Sequence, residues 1–118
     1  HDLLSFKFMI SALVGHLMAD FLLQTHWMAT NKKHKTFPCV VHCFIWATTV
    51  MLFAKWPLWT FAPLFITHFI QDRTQIIEWW MDITGSNEFR TGIYAPWSVI
   101  VVDNCFHILT LWIIWRLI

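Results

Sequence analysis

The sequence predicts an all-α integral membrane fold, an antiparallel bundle of four transmembrane helices, and three observations carry that expectation. The 118 residues are 58% hydrophobic and only 13% charged, with nine Trp and eleven Phe against three Gly and four Pro. The apolar residues gather in four runs, each approaching the roughly 20 residues that cross a bilayer. Trp27, Trp56, Trp59, Trp79, Trp80, Trp97 and Trp115 fall near the ends of those runs, where indoles sit at headgroup level. Four spans leave little chain for anything else, so residues 1–118 are expected to form one domain.

The first run extends over about 3–27 and carries Lys7, His16, Asp20 and Gln24 as its polar interruptions. The polar segment 30–36, with Lys32, Lys33, His34 and Lys35, ends it. Pro38 opens the second run, 38–54, because a missing N–H costs nothing in a first helical turn. Lys55, Trp56 and Pro57 make a short connection to the third run, 58–80, in which Pro63 lies close to the start. The polar stretch 82–90 follows, with Gly85 and Gly92 as breakers, and the fourth run covers 96–118. Links this short join antiparallel neighbours. Lys32, Lys33, Lys35 and Arg90 on the face of the first and third loops outnumber Lys7, Lys55 and Arg116 on the other, which places the first and third loops in the cytoplasm.

The net charge is +1 and the lysines cluster in one loop, so nucleic-acid binding is excluded as a function class. Cys39, Cys43 and Cys105 are an odd number within apolar segments and describe no disulfide framework. Cys39 and Cys43 flank His42 at helical spacing, but nearby carboxylates already supply ligands, and packing is the better reading for both thiols.

The chemistry lies in three pairs. His16/Asp20, His68/Asp72 and, in reversed order, Asp103/His107 are each four residues apart, one helical turn, so each pair shares a helix face. Measured from the face of the first and third loops, the three carboxylates lie at similar depth, with His42 nearby, and the three other histidines lie about one turn deeper. Antiparallel spans demand the reversal in the fourth run if the residues are to meet. A single pair is explained by a carboxylate orienting an imidazole, but three pairs at one depth exceed what a structural clamp requires.

Three carboxylates at one level repel in low dielectric and call for a bound cation or shared protons. Imidazole with carboxylate suits Zn first, and also Fe or Mn, whereas Mg and Ca prefer all-oxygen shells. The metal ligands expected are His16, Asp20, His42, His68, Asp72, Asp103 and His107, which is enough for one or two ions with some residues acting behind the ligands. Asp20, Asp72, Asp103 and Gln24 are the catalytic candidates. Gln75 continues the polar stripe near a helix end, Asn104 suits an interhelical hydrogen bond, and Arg73 is expected to snorkel to the interface.

The run His16-Leu-Met-Ala-Asp20-Phe21-Leu-Leu-Gln24-Thr25, with Trp27-Met28-Ala29 and Lys32 behind it, resembles the DUF3307 family of bacterial and phage membrane proteins. His42, the His68-Phe69-x-x-Asp72 run and Asp103-x-x-x-His107 fit the later part of that family's pattern in order. Asn104 and Arg73-Thr74-Gln75 depart from it, which bears on any substrate contact there. The resemblance implies a compact helical protein of the bacterial inner membrane and supplies no mechanism.

Three functions follow as expectations. The leading one is a metal-dependent hydrolase acting on a lipid or another membrane-associated substrate, with water activated by the metal as nucleophile. The second is proton or divalent-cation transport, which in so narrow a bundle calls for homo-oligomerisation. The polar stripe stops at Ala12, Leu64 and Leu111, which favours a site closed on one side. The third is a structural membrane factor whose metal clamps the helices.

Overall fold

A computed structural model describes residues 2–118. Helix α1, Leu3–Leu17, starts where the Asp2 carboxylate accepts a hydrogen bond from the Ser5 amide at 2.8 Å, satisfying one of the free donors of a first turn. It runs into a π-helical turn, Met18–Leu22, in which the Leu23 amide donates to the Met18 carbonyl five residues back. Thr25 then caps α2, His26–Asn31. Helix α3 covers Thr36–Ala54 and ends at Lys55, whose backbone is left-handed at φ 54°. A 3₁₀ turn, Leu58–Thr60, leads into α4, Phe61–Arg73. The short helices α5, Ile76–Ile83, and α6, Asn87–Thr91, precede the long α7, Trp97–Leu117. Among the described residues there is no strand.

Two expected spans are shorter than the hydropathy suggested. The first does not run to Trp27, because the π turn and the break at 23–25 end it at Leu22. The third does not run to Trp80. Thr74 is extended, its hydroxyl bonds back to the Ile70 carbonyl, and the Lys33 ammonium donates to the carbonyls of Gln71, Asp72 and Thr74. Cation and carbonyls together satisfy the open C-terminal end of α4, so the helix stops there. Ile76–Ile83 becomes a separate amphipathic helix that buries Ile77 and Met81 and exposes Trp79, Trp80 and Ile83. Three helical stretches, Leu3–Leu22, Thr36–Ala54 and Trp97–Leu117, are long and apolar enough to cross a membrane, rather than four.

The packing is inverted relative to a water-soluble bundle. Phe6, Ile10, Val14, Phe44, Ile66, Val101, Leu109 and Trp112 are exposed on the helix exteriors, while His16, His42, His68, His107, Asp20 and Asp72 are buried between the helices. Beyond them lies an apolar core that includes Ala12, Trp46, Val50, Leu64 and Leu111. Helices α1 and α3 approach closely at Gly15: a Cβ there would stand 3.1 Å from the Val50 Cα and 3.1 Å from the Phe53 Cβ. That approach sets the side chains of His16 and Asp20 against α3.

Candidate metal centre

Each polar side chain reaches the centre from a different local structure. Asp20 sits inside the π turn, a widening of the helix that occurs often at functional sites, and Gln24 donates to its carbonyl at 3.0 Å. His42 comes from the second turn of α3, His68 and Asp72 from the end of α4, and Asp103 and His107 from α7.

Four of these residues offer ligand atoms that converge on one point. His42 Nε2 lies 3.2 Å from Asp20 Oδ1 and 3.0 Å from Asp72 Oδ2, and His68 Nε2 lies 3.4 Å and 3.1 Å from the same two oxygens. The two imidazole nitrogens are 2.9 Å apart. Ligands of a tetrahedral zinc, bonded at about 2.0–2.2 Å, stand roughly 3.4 Å from one another, so five edges of the figure match within a few tenths of an ångström. Asp72 Oδ2 is buried against the Lys32 ammonium at 3.1 Å, and Asp20 Oδ1, also buried, has no partner in hydrogen-bond geometry. Buried carboxylate oxygens are seldom left so, and two of them aimed with two imidazoles at one point suit a divalent cation.

A second group adjoins the first. His107 Nε2 is 3.3 Å from Asp72 Oδ1 and 3.1 Å from Asp103 Oδ2. Asp20, His42, His68 and Asp72 form one set able to hold an ion, and Asp72, Asp103 and His107 form another. Asp72 belongs to both, one oxygen facing each. The two depth layers read from the sequence therefore meet in a single cluster. Side chains lean toward the N-terminus of their own helix, so Asp20 and Asp72 lean inward while His107, on an antiparallel helix, leans back toward them.

His16, expected among the ligands, lies outside both sets. The Trp46 indole N–H donates to its Nδ1 at 3.0 Å, and its Nε2 faces Asn104 Oδ1 at 2.9 Å. Trp46 can only donate, so His16 carries its proton on Nε2 and has no lone pair to offer. The Asn104 carboxamide is oriented by its own donation to the Ile100 carbonyl. Trp46 also stacks on the His68 ring, with centroids 3.9 Å apart and planes 11° apart. His16 thus fixes Trp46, and Trp46 fixes His68, the role that partners behind a metal ligand play. Sequence reasoning passed over Trp46, although it stands one turn after His42 on the same helix face.

Lys32, which the sequence presents as loop charge and as the end of the family-like opening run, reaches the centre as well. Its ammonium lies 3.1 Å from Asp72 Oδ2 and is mostly buried. Burial opposes the charge, but the carboxylates of Asp72, Asp20 and Asp103 together outweigh it and hold the Lys32 pKa above the usual 10.5. Beside it a cavity of about 150 Å³ opens at the face of the first and third loops, lined by Lys32, Lys33, Asp72 and Asp103 with an apolar wall that includes Ile77 and Ile100. Arg73 does not face this cavity as an open cation, since its guanidinium donates to the Lys33 carbonyl. Gln75 is exposed in the break after α4. Cys39 and Cys43 are buried with their sulfurs 3.9 Å apart, and neither joins a ligand set.

The family described as a protein of unknown function, DUF3307, matches residues 8–118. The chain belongs to the DUF3307 family. The match includes every residue of the polar cluster in this DUF3307 protein. Neither the curated proteins nor the solved structures include a match to the chain.

Proposed function

We propose that this DUF3307 protein is a membrane-embedded metalloprotein, a bundle of α1, α3, α4 and α7 seated in the bilayer, that hydrolyses a lipid or another membrane-associated substrate. The observation that carries this reading is the convergence of Asp20 Oδ1, His42 Nε2, His68 Nε2 and Asp72 Oδ2 at the spacing of tetrahedral ligands. A divalent transition metal, zinc by the mix of imidazole and carboxylate, would supply Lewis acidity and make water nucleophilic near neutral pH.

The chain's own residues do the rest. Asp20 and Asp72 neutralise the ion, and the His16–Trp46 pair keeps the His68 ring in register. The cavity beside Lys32 and Asp103 admits substrate from the loop face. Ala12, Leu64 and Leu111, each fully buried, form an apolar floor on the opposite side. That floor favours a site reached from one side over a path conducting protons or cations.

Element-specific metal analysis of detergent-purified protein tests the reading. Wild type is expected to carry stoichiometric zinc, and an Asp20→Ala/His42→Ala variant is expected to lose the ion held by the four converging ligands. A folded, metal-free wild type would remove the basis for hydrolysis. Metal bound without turnover of any ester or phosphoester lipid, with unfolding on chelation, would favour a helix clamp.

A further inference from the structure

Resting on the metal-centre reading, we infer that the site is a two-ion centre bridged by Asp72, and that its outer ion together with Lys32 takes a phosphoryl group through the loop-face cavity. The bridging follows from one side chain. Asp72 Oδ2 faces the two imidazoles of the inner set, and Asp72 Oδ1 faces His107 of the outer set. A carboxylate placed so could bridge two ions, the arrangement that two-metal phosphoryl-transfer sites use to clamp the attacking and leaving oxygens.

The two sets differ in completeness. The inner one has four ligand atoms, all from buried residues, and is closed. The outer one has three, Asp72, Asp103 and His107, and Asp103 is only half-buried beside the cavity. A shell of four protein ligands admits water only by expanding to five-coordinate, while three ligands and an open position leave room for a substrate atom.

Charge then identifies the ligand. Asp20, Asp72 and Asp103 bring three negative charges, and two divalent ions with the Lys32 ammonium bring five positive ones. An excess of two positive charges in a low-dielectric interior calls for an anion. A phosphoryl group meets that need with several acceptor oxygens, and Lys32 already stands at the mouth as its counter-cation. The Lys33 ammonium is already bonded to three backbone carbonyls, and Arg73, which donates Nη1 to the Lys33 carbonyl, does not line the cavity. The phosphoryl group can belong to a lipid headgroup or to a soluble phosphate.

The experiment combines zinc stoichiometry with calorimetric titration of inorganic phosphate and of dihexanoyl phosphatidic acid into zinc-loaded, detergent-solubilised protein. Two zinc ions are expected in wild type and one in Asp103→Asn, which should also lose phosphate binding. Lys32→Gln should keep both ions and weaken phosphate by roughly tenfold or more. Tighter binding of the phosphatidic acid than of phosphate assigns a lipid source, and equal binding assigns a soluble one. If Asp103→Asn does not fold, His107→Gln removes another ligand of the same ion and carries the same expectation. One zinc in wild type, unchanged in the outer-site variants, would overturn the two-ion centre and leave the inner site standing. Two zinc ions with no phosphate binding would overturn the phosphoryl assignment, and no zinc at all would overturn both readings.

Discussion

The Lys32 ammonium and the Asp72 carboxylate, forty residues apart, meet at 3.1 Å with both side chains largely withdrawn from water. Removing one partner of such a pair leaves a buried charge without compensation, at a cost of about 3–5 kcal/mol. We expect Asp72→Asn to lower stability by that order, and Lys32→Met added to it to recover most of the loss. Chemical denaturation in detergent, run as a double-variant cycle, measures the coupling. Additive effects would mean that the pair contributes nothing.

The same pair sets a pH dependence. The Lys32 pKa is raised in the folded protein, so its contribution to stability is complete below the unfolded value near 10.5 and disappears as pH rises through the higher folded value. Wild type should therefore lose stability above about pH 10.5, and Lys32→Met should show a shallower decline there. Thermal unfolding followed by circular dichroism from pH 8 to 12 checks this.

Trp46→Phe keeps an aromatic ring against His68 but removes the N–H bonded to His16 Nδ1. Losing a partner behind a metal ligand weakens metal by about 10–100-fold. Competition with a zinc-sensitive chelator dye should show a drop in that range, with the helical signal unchanged. An unaltered affinity would make Trp46 a packing residue only.

Gly15→Ala places a methyl group against the Val50 backbone and Phe53. Overpacking of this kind costs about 1–3 kcal/mol. Because the wedge lies one turn before Asp20, zinc affinity should fall along with stability. A change in stability alone would show that the α1–α3 spacing does not govern the site.

Lys55→Gly is the converse case. Its φ of 54° is left-handed, a conformation that penalises a side chain by about 1–2 kcal/mol and suits glycine at a helix end. Replacement should raise the midpoint of unfolding without changing metal content, since Lys55 lies at the apolar end of α3, far from the polar cluster.

How much of this was legible in the residues depends on the range of the interaction. The three four-residue pairs, their reversal in α7 and the meeting of Asp20, Asp72 and Asp103 follow from helix periodicity, which is local. The π turn around Asp20 was not legible, since Met18-Ala19-Asp20-Phe21-Leu22 holds no Gly or Pro to mark a change of helix type. The end of α4 at Arg73 depends on Lys33, forty residues earlier, reaching its carbonyls. A hydropathy profile sees Ile76, Ile77, Trp79 and Trp80 as continuation because it carries no information about that lysine. His16 stands outside the two ligand sets for a similar reason. Its spacing to Asp20 is a ligand-like signal, while its engagement by Trp46 and Asn104 is a tertiary fact.

The brevity of α4 bears on the lipid around the protein. Its thirteen residues rise only about 20 Å, well short of a hydrocarbon core of about 30 Å. A bilayer meets such hydrophobic mismatch by thinning against the short element. The headgroup plane would dip beside α4 and α5, with Trp79 and Trp80 at its level, and the polar cluster would lie nearer the aqueous boundary than its position along α1 or α3 suggests. A phosphate-bearing headgroup could then reach Asp103 without leaving its leaflet.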